Sequence, residues 1–393
     1  MLLVFALLAA PLAASDDEHP GKGDWALQFR YRLETVDQDS FARDATASTL
    51  RTRLAYQSAE QQGFSFFGEL DYVTELFADD YNAGGGNTPA RTQYPVIADP
   101  DGEDLNQAYV QYRQAAHRIR AGRQRLIFDN ARFVGNVGWR QNEQTYDALS
   151  YARSADVGLE FTLAYSDQVN RIFGKDVSDG EHAQHTWLAN VSKVFAGAGK
   201  LTVYAYDIDN QDAPSLSNRT LGIRYAASTA QGRGPLTYAL EFASQSDNGG
   251  PVDFAAHYYR ADLAAALGAV TLYGGFESLE GDASAAGRAL RTPLATLHAF
   301  NGWADLFLTT PNAGLDDAFV GIKGKAGAWA WDALLHDFTA QSGPTAYGSE
   351  LDLSLARGFA TRYALLLKAA RFDTDSAAYP DTTKFWVQLS ADF

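Results

Sequence analysis

Residues 25 to 33, WALQFRYRL, put Trp25, Leu27, Phe29, Tyr31 and Leu33 on one parity and Gln28, Arg30 and Arg32 on the other. Successive side chains of a β-strand point to opposite faces, so this segment builds one apolar wall and one charged wall. The alternation returns from end to end of the chain. LRTRLAY sets Leu50, Leu54 and Tyr56 against Arg51 and Arg53, and LEFTLAY sets Leu159, Phe161, Leu163 and Tyr165 against Glu160 and Thr162. LTYALEF does the same with Leu236, Tyr238, Leu240 and Phe242 against Thr237 and Glu241. YYRADLA (258–264), VTLYGGFE (270–277), ELDLSLA (350–356) and YALLLKAA (363–370) continue it. Short connections (AEQQG, GAGK, STAQGRG, ARGFATR) alternate with long polar ones, among them 75–104 (ELFADD to DPDGED), NRIFGKDVSDGEHAQ and DIDNQDAPSLSN. Half-apolar strands joined by strictly alternating long and short connections predict an all-β fold: a transmembrane antiparallel up-and-down β-barrel with short periplasmic turns and long extracellular loops. The segments number about 18, an even count as bacterial barrels require. Two of them, near 185–195 and 201–208, are compatible with either parity.

Secreted β-sandwiches also alternate apolar and polar residues, but their connections show no such rhythm. Aromatic girdles at two bilayer interfaces account for Trp25, Tyr31, Tyr56, Tyr72, Tyr165, Tyr225, Trp329, Tyr363 and Phe385 near strand ends. The chain closes on KFWVQLSADF, with Phe385, Val387, Leu389, Ala391 and Phe393 on one face. A barrel has no edge because its last strand pairs with its first, so these residues are structural rather than frayed. A terminal Phe after alternating apolar residues resembles the signature by which bacterial outer-membrane proteins are read by their assembly machinery. That makes the barrel-assembly machinery an expected partner through the Phe393 strand, alongside outer-membrane lipid and lipopolysaccharide.

At the other end, MLLVFALLAAPLAAS is an apolar run of signal-peptide length before the polar DDEHPGKGD. It predicts an export signal over 1–15 and a single barrel domain over 16–393, in the outer membrane of a Gram-negative bacterium. No later stretch reaches the ~18 consecutive apolar residues of a helical span. The absence of cysteine rules out disulfides, a thiol nucleophile and Cys-ligated metal. It also suits passage through an oxidising periplasm. A formal charge of −16 argues against nucleic acid as a partner. Enzymatic chemistry finds little support: no GxSxG motif occurs. His182 and His185 lack a clear third metal ligand, DPDGED and DIDNQD do not complete a calcium loop, and GGGN lacks the Lys-Ser/Thr of a phosphate loop. No cofactor or metal is expected, and the chain reads as a non-enzyme.

Strands about 4.8 Å apart and tilted about 40° give about 18 of them a backbone radius of roughly 18 Å. Wall side chains do not fill such a lumen, so it is wet or plugged by loops. Inward parity carries Arg30, Arg32, Arg51, Arg53, Arg118, Arg120, Arg123, Arg224, Arg260, Lys323 and Lys368. Guanidinium groups hold carboxylates through paired hydrogen bonds, and a ladder of them would draw anions through. The same parity carries Glu69, Asp71, Glu160, Glu241, Asp262, Glu277, Glu350 and Asp352, so a salt-bridged, stiffened wall is the competing reading. Two segments, 122–149 and 291–320, break the alternation and are too apolar for solvated loops. They are expected to fold inward and narrow the lumen. In the second, the spacing of Leu297, Phe300, Trp303 and Phe307 predicts a short amphipathic helix.

Those two segments, GRQRLIFDNARFVGNVGWRQNEQTYDAL and TPLATLHAFNGWADLFLTTPNAGLDDAF, resemble hallmarks of the alginate-export family of outer-membrane β-barrels. The resemblance runs over the mature chain. It implies a porin-like channel for passive passage of an anionic solute: sugars, oligosaccharides or polyuronate. By the same resemblance, Asn130, Arg132, Trp139 and Arg140 would be constriction residues. Alginate exporters of the family are arginine-rich pores partly closed by a long late periplasmic turn. Here that turn, ARGFATR, is short and the lumen charges are mixed, which favours a broader anion or oligosaccharide porin. An outer-membrane barrel enzyme acting on lipid or polysaccharide, or a loop-plugged structural barrel, are the alternatives.

Overall fold

Each alternating segment becomes a strand of one closed sheet. The computed structural model describes residues 23–155, 158–229 and 234–393, and the expected export signal lies outside them. Among the described residues run β1 (Asp24–Gln38), β2 (Ala45–Gln57), β3 (Phe64–Asp80), β4 (Gly102–Gln114), β5 (His117–Gln124) and β6 (Thr145–Ala155). Next come β7 (Leu159–Asn170), β8 (Glu181–Phe195), β9 (Gly199–Ile208), β10 (Asn218–Ser228), β11 (Leu236–Asp247) and β12 (Ala255–Leu267). The last are β13 (Val270–Leu279), β14 (Leu315–Ala326), β15 (Trp329–Thr339), β16 (Ala346–Phe359), β17 (Tyr363–Thr374) and β18 (Thr382–Asp392). Every neighbour in sequence is an antiparallel neighbour in space, and β1 pairs with both β2 and β18. The seam runs from Gln28↔Asp392 to Gln38↔Thr382. Beyond it the Phe393 backbone exchanges two hydrogen bonds with Leu27, at 2.8 and 2.9 Å. Among the described residues, closure leaves no unpaired strand edge in the hydrocarbon.

The outer face carries the apolar parity. Leu240, Leu263, Phe276, Val320, Leu335, Phe385 and Leu389 are each about half exposed. In lipid that surface is solvated, whereas in water it would be an aggregation patch around the whole circumference. Ring pairs cluster near the turns, as in Trp25 with Tyr56 and Phe64 with Tyr112, and again toward the loops, as in Tyr165 with Trp187. The strands of undecided parity resolve with His182, Gln184, Thr186 and Leu188, and Thr202, Tyr204 and Tyr206, turned inward and buried.

Burial along the inner wall is graded. Near the long loops Arg32, Glu34, Glu277, Asp317, Glu350 and Lys384 are all buried. Toward the short turns Glu160, Arg118, Thr237 and Lys323 keep partial or full access to solvent. The loops 81–101, 125–144 and 280–314 therefore fill the half of the barrel on their own side, above a wet vestibule at the turn side. Two sequence expectations change. The ELFADD stretch belongs to β3, so the second long loop starts at 81 rather than 75. The amphipathic helix near 297–307 is one 3-10 turn, Leu297–Ala299. Phe300 is extended, and Asn301, Gly302 and Asp305 have φ of 55°, 84° and 60°, which no right-handed helix tolerates.

Candidate functional site: the loop-filled lumen

On β1 and β2 the charged parity stacks Arg30, Arg32, Arg51 and Arg53 across neighbouring rungs, with Arg30 directly opposite Arg51. Four buried guanidiniums this close would repel one another, and what fills the lumen here is what neutralises or caps them. Arg53 makes a two-pronged pair with Asp71 on β3, both contacts 2.6 Å, and reaches Glu143 at 2.8 Å. Arg32 meets Asp99 of the 81–101 loop at 3.2 Å, Gln388 at 2.7 Å and the Trp139 carbonyl at 2.5 Å. Arg30 donates to the carbonyls of Gly138 and Arg140 and to Gln141. Arg51 donates to the Gln141 carbonyl and to Gln28. Arg125 clasps Glu69 at 2.5 Å and also binds Glu143. Burial works against ionisation of Glu143, yet Arg125 and Arg53 hold its carboxyl well below the usual range. The wall thus grips the 125–144 loop by charge-assisted hydrogen bonds, the stronger kind.

The 125–144 and 280–314 loops also hold each other. Val134 and Leu294 form a parallel bridge; Gly135 N–H donates to the Leu294 carbonyl and Thr296 N–H to that of Ala131. The Gln144 amide also donates to Leu294. Gly135 is required by this approach: a Cβ there would lie 2.2 Å from Thr296 Oγ1.

Facing β17 and β18, the joined loops close on a cation. Lys368 Nζ lies 3.6, 4.3 and 5.4 Å from the ring centres of Trp303, Trp139 and Trp386, a three-tryptophan cage. Its hydrogen bond goes to His298 Nε2 at 2.7 Å; His298 Nδ1–H donates to Asp305 at 2.7 Å, and the imidazole stacks on Trp139. Asp305 also accepts from Arg140 at 2.9 Å and Lys384 at 3.2 Å, while Arg140 reaches Glu34 at 3.1 Å. Burial pushes the His298 pKa down to about 3 despite Asp305 beside it, so the ring is neutral and its Nε2 accepts from the lysine. Burial opposes the Asp305 charge, but His298, Lys384 and Arg140 hold it well below the carboxylate range. Burial likewise opposes the Arg140 charge, and Glu34, Asp99 and Asp305 outweigh it, raising its pKa.

Toward β12–β14, Arg132 reaches across to Glu277 at 2.6 Å and to Asn301 at 3.0 Å. Arg260 joins the same carboxylate at 3.1 Å and pairs with Asp262 at 2.9 Å. Phe133 packs on Tyr204 and Tyr258, which completes the contact of the 125–144 loop with the far wall.

Of the residues expected to line the lumen, Arg30, Arg32, Arg51, Arg53, Arg132, Trp139, Arg140 and Lys368 converge at this loop layer. Asn130 turns its side-chain oxygen back onto the Arg132 N–H, shaping its own loop. Arg224 pairs with Glu241 at 2.7 Å, and Lys323 lies over Tyr273. Arg118 and Arg120 face inward at the vestibule. Arg123 does not: three residues beyond Arg120, it falls on the parity of Ile119 and Ala121 and faces outward, pairing with Asp147 at 2.7 Å. An odd step along a strand changes face, so its assignment to the inward set was an error of parity. Glu34, Asp99, Glu143, His298, Asp305, Lys384 and Trp386 were not singled out. Glu34 lies an even step from Arg32, and Lys384 and Trp386 lie odd steps from the apolar Phe385 and Val387, a signal that parity carries; Asp99, His298 and Asp305 come from irregular loops with no periodicity to follow.

A family profile described as alginate export matches residues 23–274. No curated protein matches the chain in sequence. Among solved structures, Acinetobacter baumannii OccAB4 superposes with a TM-score of 0.74 at 12% identity, over 95% of this chain and 99% of that one. The Pseudomonas aeruginosa outer membrane protein OpdK gives 0.71 at 13%, over 94% and 99%. OpdK solved with vanillate gives 0.71 at 12%, over 94% and 98%. At this identity the likeness is one of fold.

Proposed function

From the premise that the chain belongs to the alginate-export family of outer-membrane, porin-like β-barrels, we propose that it is a passive channel for anionic saccharides: uronic acids, oligouronates or polyuronate. The observation that carries this reading is the concentration of guanidinium groups on the inner wall and in the inserted loops. Arg30, Arg32, Arg51, Arg53, Arg118, Arg120, Arg132, Arg140, Arg224, Arg260, Lys323 and Lys368 would line the route, with Asn130 and Trp139 shaping its narrowest part. Guanidinium matches carboxylate geometry, and a series of such groups lets an anion move between sites without being trapped. Because the guanidiniums at the loop layer already carry carboxylate or carbonyl partners, an anion crossing that layer exchanges for them as the loops shift. The solute, the lipopolysaccharide around the barrel and the assembly machinery that reads the Phe393 strand are the partners of this reading.

The test is conductance in planar bilayers, with reversal potentials in asymmetric salt and block by added oligouronate. Anion selectivity with uronate block is expected. Cation selectivity, or indifference to uronate, would remove the saccharide assignment. The filled lumen favours one second reading, a barrel closed by its loops and serving structure. It predicts no current above a lipid control at any pH.

A further inference from the structure

Most cations of the loop layer are held by an acid: Arg32, Arg53, Arg132, Arg140 and Lys384 each meet a carboxylate within 4.0 Å. Lys368 meets none at that distance among the described residues. Its ammonium is held instead by the rings of Trp303, Trp139 and Trp386, with a hydrogen bond to His298 Nε2 at 2.7 Å. Indoles gathered round an ammonium are the arrangement that recognises alkylated ammonium ligands, because negative ring faces stand in for the water around the charge. The parts come from separate places. Trp386 stands directly opposite Lys368 on the neighbouring strand, whereas Trp139 and Trp303 are carried in by the two inserted loops. The other neighbour of Lys368 on its rung is Ser354, a side chain too short to cover it. Lys368, Trp139 and Trp303 are each only half-buried, and Lys368 lies on the turn side of the fully buried Ala370 and Phe372. The cage therefore sits on the boundary between the loop layer and the wet vestibule.

We propose that the three-tryptophan cage is a binding site for an unbranched alkylammonium ion, in which Lys368 is a tethered occupant that a free amine from the vestibule replaces. The inference is independent of the anionic-saccharide reading. Lys368 leaves the cage by rotation about its own stem, with no change in the strands. Replacement keeps the charge that the indoles surround and passes the hydrogen bond at His298 to a new N–H. It also cuts the tie that Lys368 makes between β17 and the loops carrying Trp139 and Trp303. Tethering gives Lys368 an effective concentration on the order of millimolar or more, so a free amine competes only at or above that range.

The experiment uses the whole barrel, in detergent and in bilayers, with n-propylammonium as ligand, n-propanol as its uncharged counterpart and sodium chloride to match ionic strength. n-Propylammonium supplies the atoms that Lys368→Ala removes beyond Cβ. By calorimetry that variant should bind n-propylammonium about tenfold or more tighter than the parent does, because it has no tethered competitor. Adding Trp303→Leu to Lys368→Ala should abolish the binding. Gating should respond with opposite signs. The amine frees the loops of the parent and lengthens its high-conductance dwells; in Lys368→Ala it restores the missing cation and shortens them. n-Propanol should do neither. A Lys368→Ala barrel with normal heat-modifiable gel migration that binds no amine overturns the site, as does equal binding of n-propanol. Binding that survives Trp303→Leu overturns the assignment to the indoles. Should Lys368→Ala not assemble, the parent decides: gating unmoved by n-propylammonium from the turn side, above the effective concentration of the tethered lysine, overturns the proposal.

Discussion

Replacing Asp305 by Asn asks whether the loop layer is a latch. The carboxylate is 5% exposed and takes donors from His298, Arg140 and Lys384 at 2.7, 2.9 and 3.2 Å. Without its charge, Arg140 keeps Glu34 nearby, while Lys384 keeps no acidic partner within 4.0 Å among the described residues. Removing one member of a buried charge network costs about 3 to 5 kcal/mol, because the remaining charges stay desolvated. None of the eighteen strand pairings among the described residues involves position 305, so the cost falls on docking of the 280–314 loop and not on the sheet. At about 1.4 kcal/mol per decade, docked and undocked populations shift by a factor of between about 10² and 4 × 10³. Single-channel recording should show Asp305→Asn spending far more time in a high-conductance state than the parent, with Asp305→Glu intermediate. A correctly folded Asp305→Asn barrel whose conductance distribution matches the parent would refute the latch.

Acid should act on the same contact. His298 binds no proton while docked until pH about 3, whereas a solvated histidine titrates near 6.5. The undocked loop thus takes up a proton the docked loop refuses, and docking weakens as pH falls through this window, by about 2 kcal/mol at pH 5. Asp305, held below the carboxylate range, stays charged throughout it. Open probability should rise on acidification, and His298→Gln should flatten the pH profile. Arg53→Ala leaves Asp71, Glu69 and Glu143 converging on one another; it should loosen the 125–144 loop, seen as faster proteolysis there, more than it changes ion selectivity. A Val134→Cys, Leu294→Cys pair in this cysteine-free chain should oxidise readily, since bridge partners stand at disulfide distance. If the two loops move as one body, the cross-linked barrel gates as before; a locked channel would show that they separate. Deleting Phe393 removes two backbone bonds at the seam and should lower the amount of assembled barrel in outer-membrane fractions.

Period-two patterning alone determined the barrel, its strand number, its long and short ends and the seam from KFWVQLSADF to WALQFRYRL. Each of those follows from which side chains must meet lipid, a rule that every strand obeys independently. Parity also placed most wall charges correctly, and failed at Arg123 only where an odd step was overlooked. What parity leaves open is which cation meets which anion. Arg53 with Asp71 follows from a strand register, but Arg32 with Asp99, Arg140 with Asp305 and Lys368 with His298 join residues that irregular loops carry across the lumen. Those loops have no repeating geometry to read: Asn301, Gly302 and Asp305 take left-handed backbone that turned an expected helix into an anchored strap. Whether the lumen's arginines are open to an anion or already satisfied was therefore decided by tertiary contact, because a charge is neutralised by distance in space and the chain order does not fix that distance.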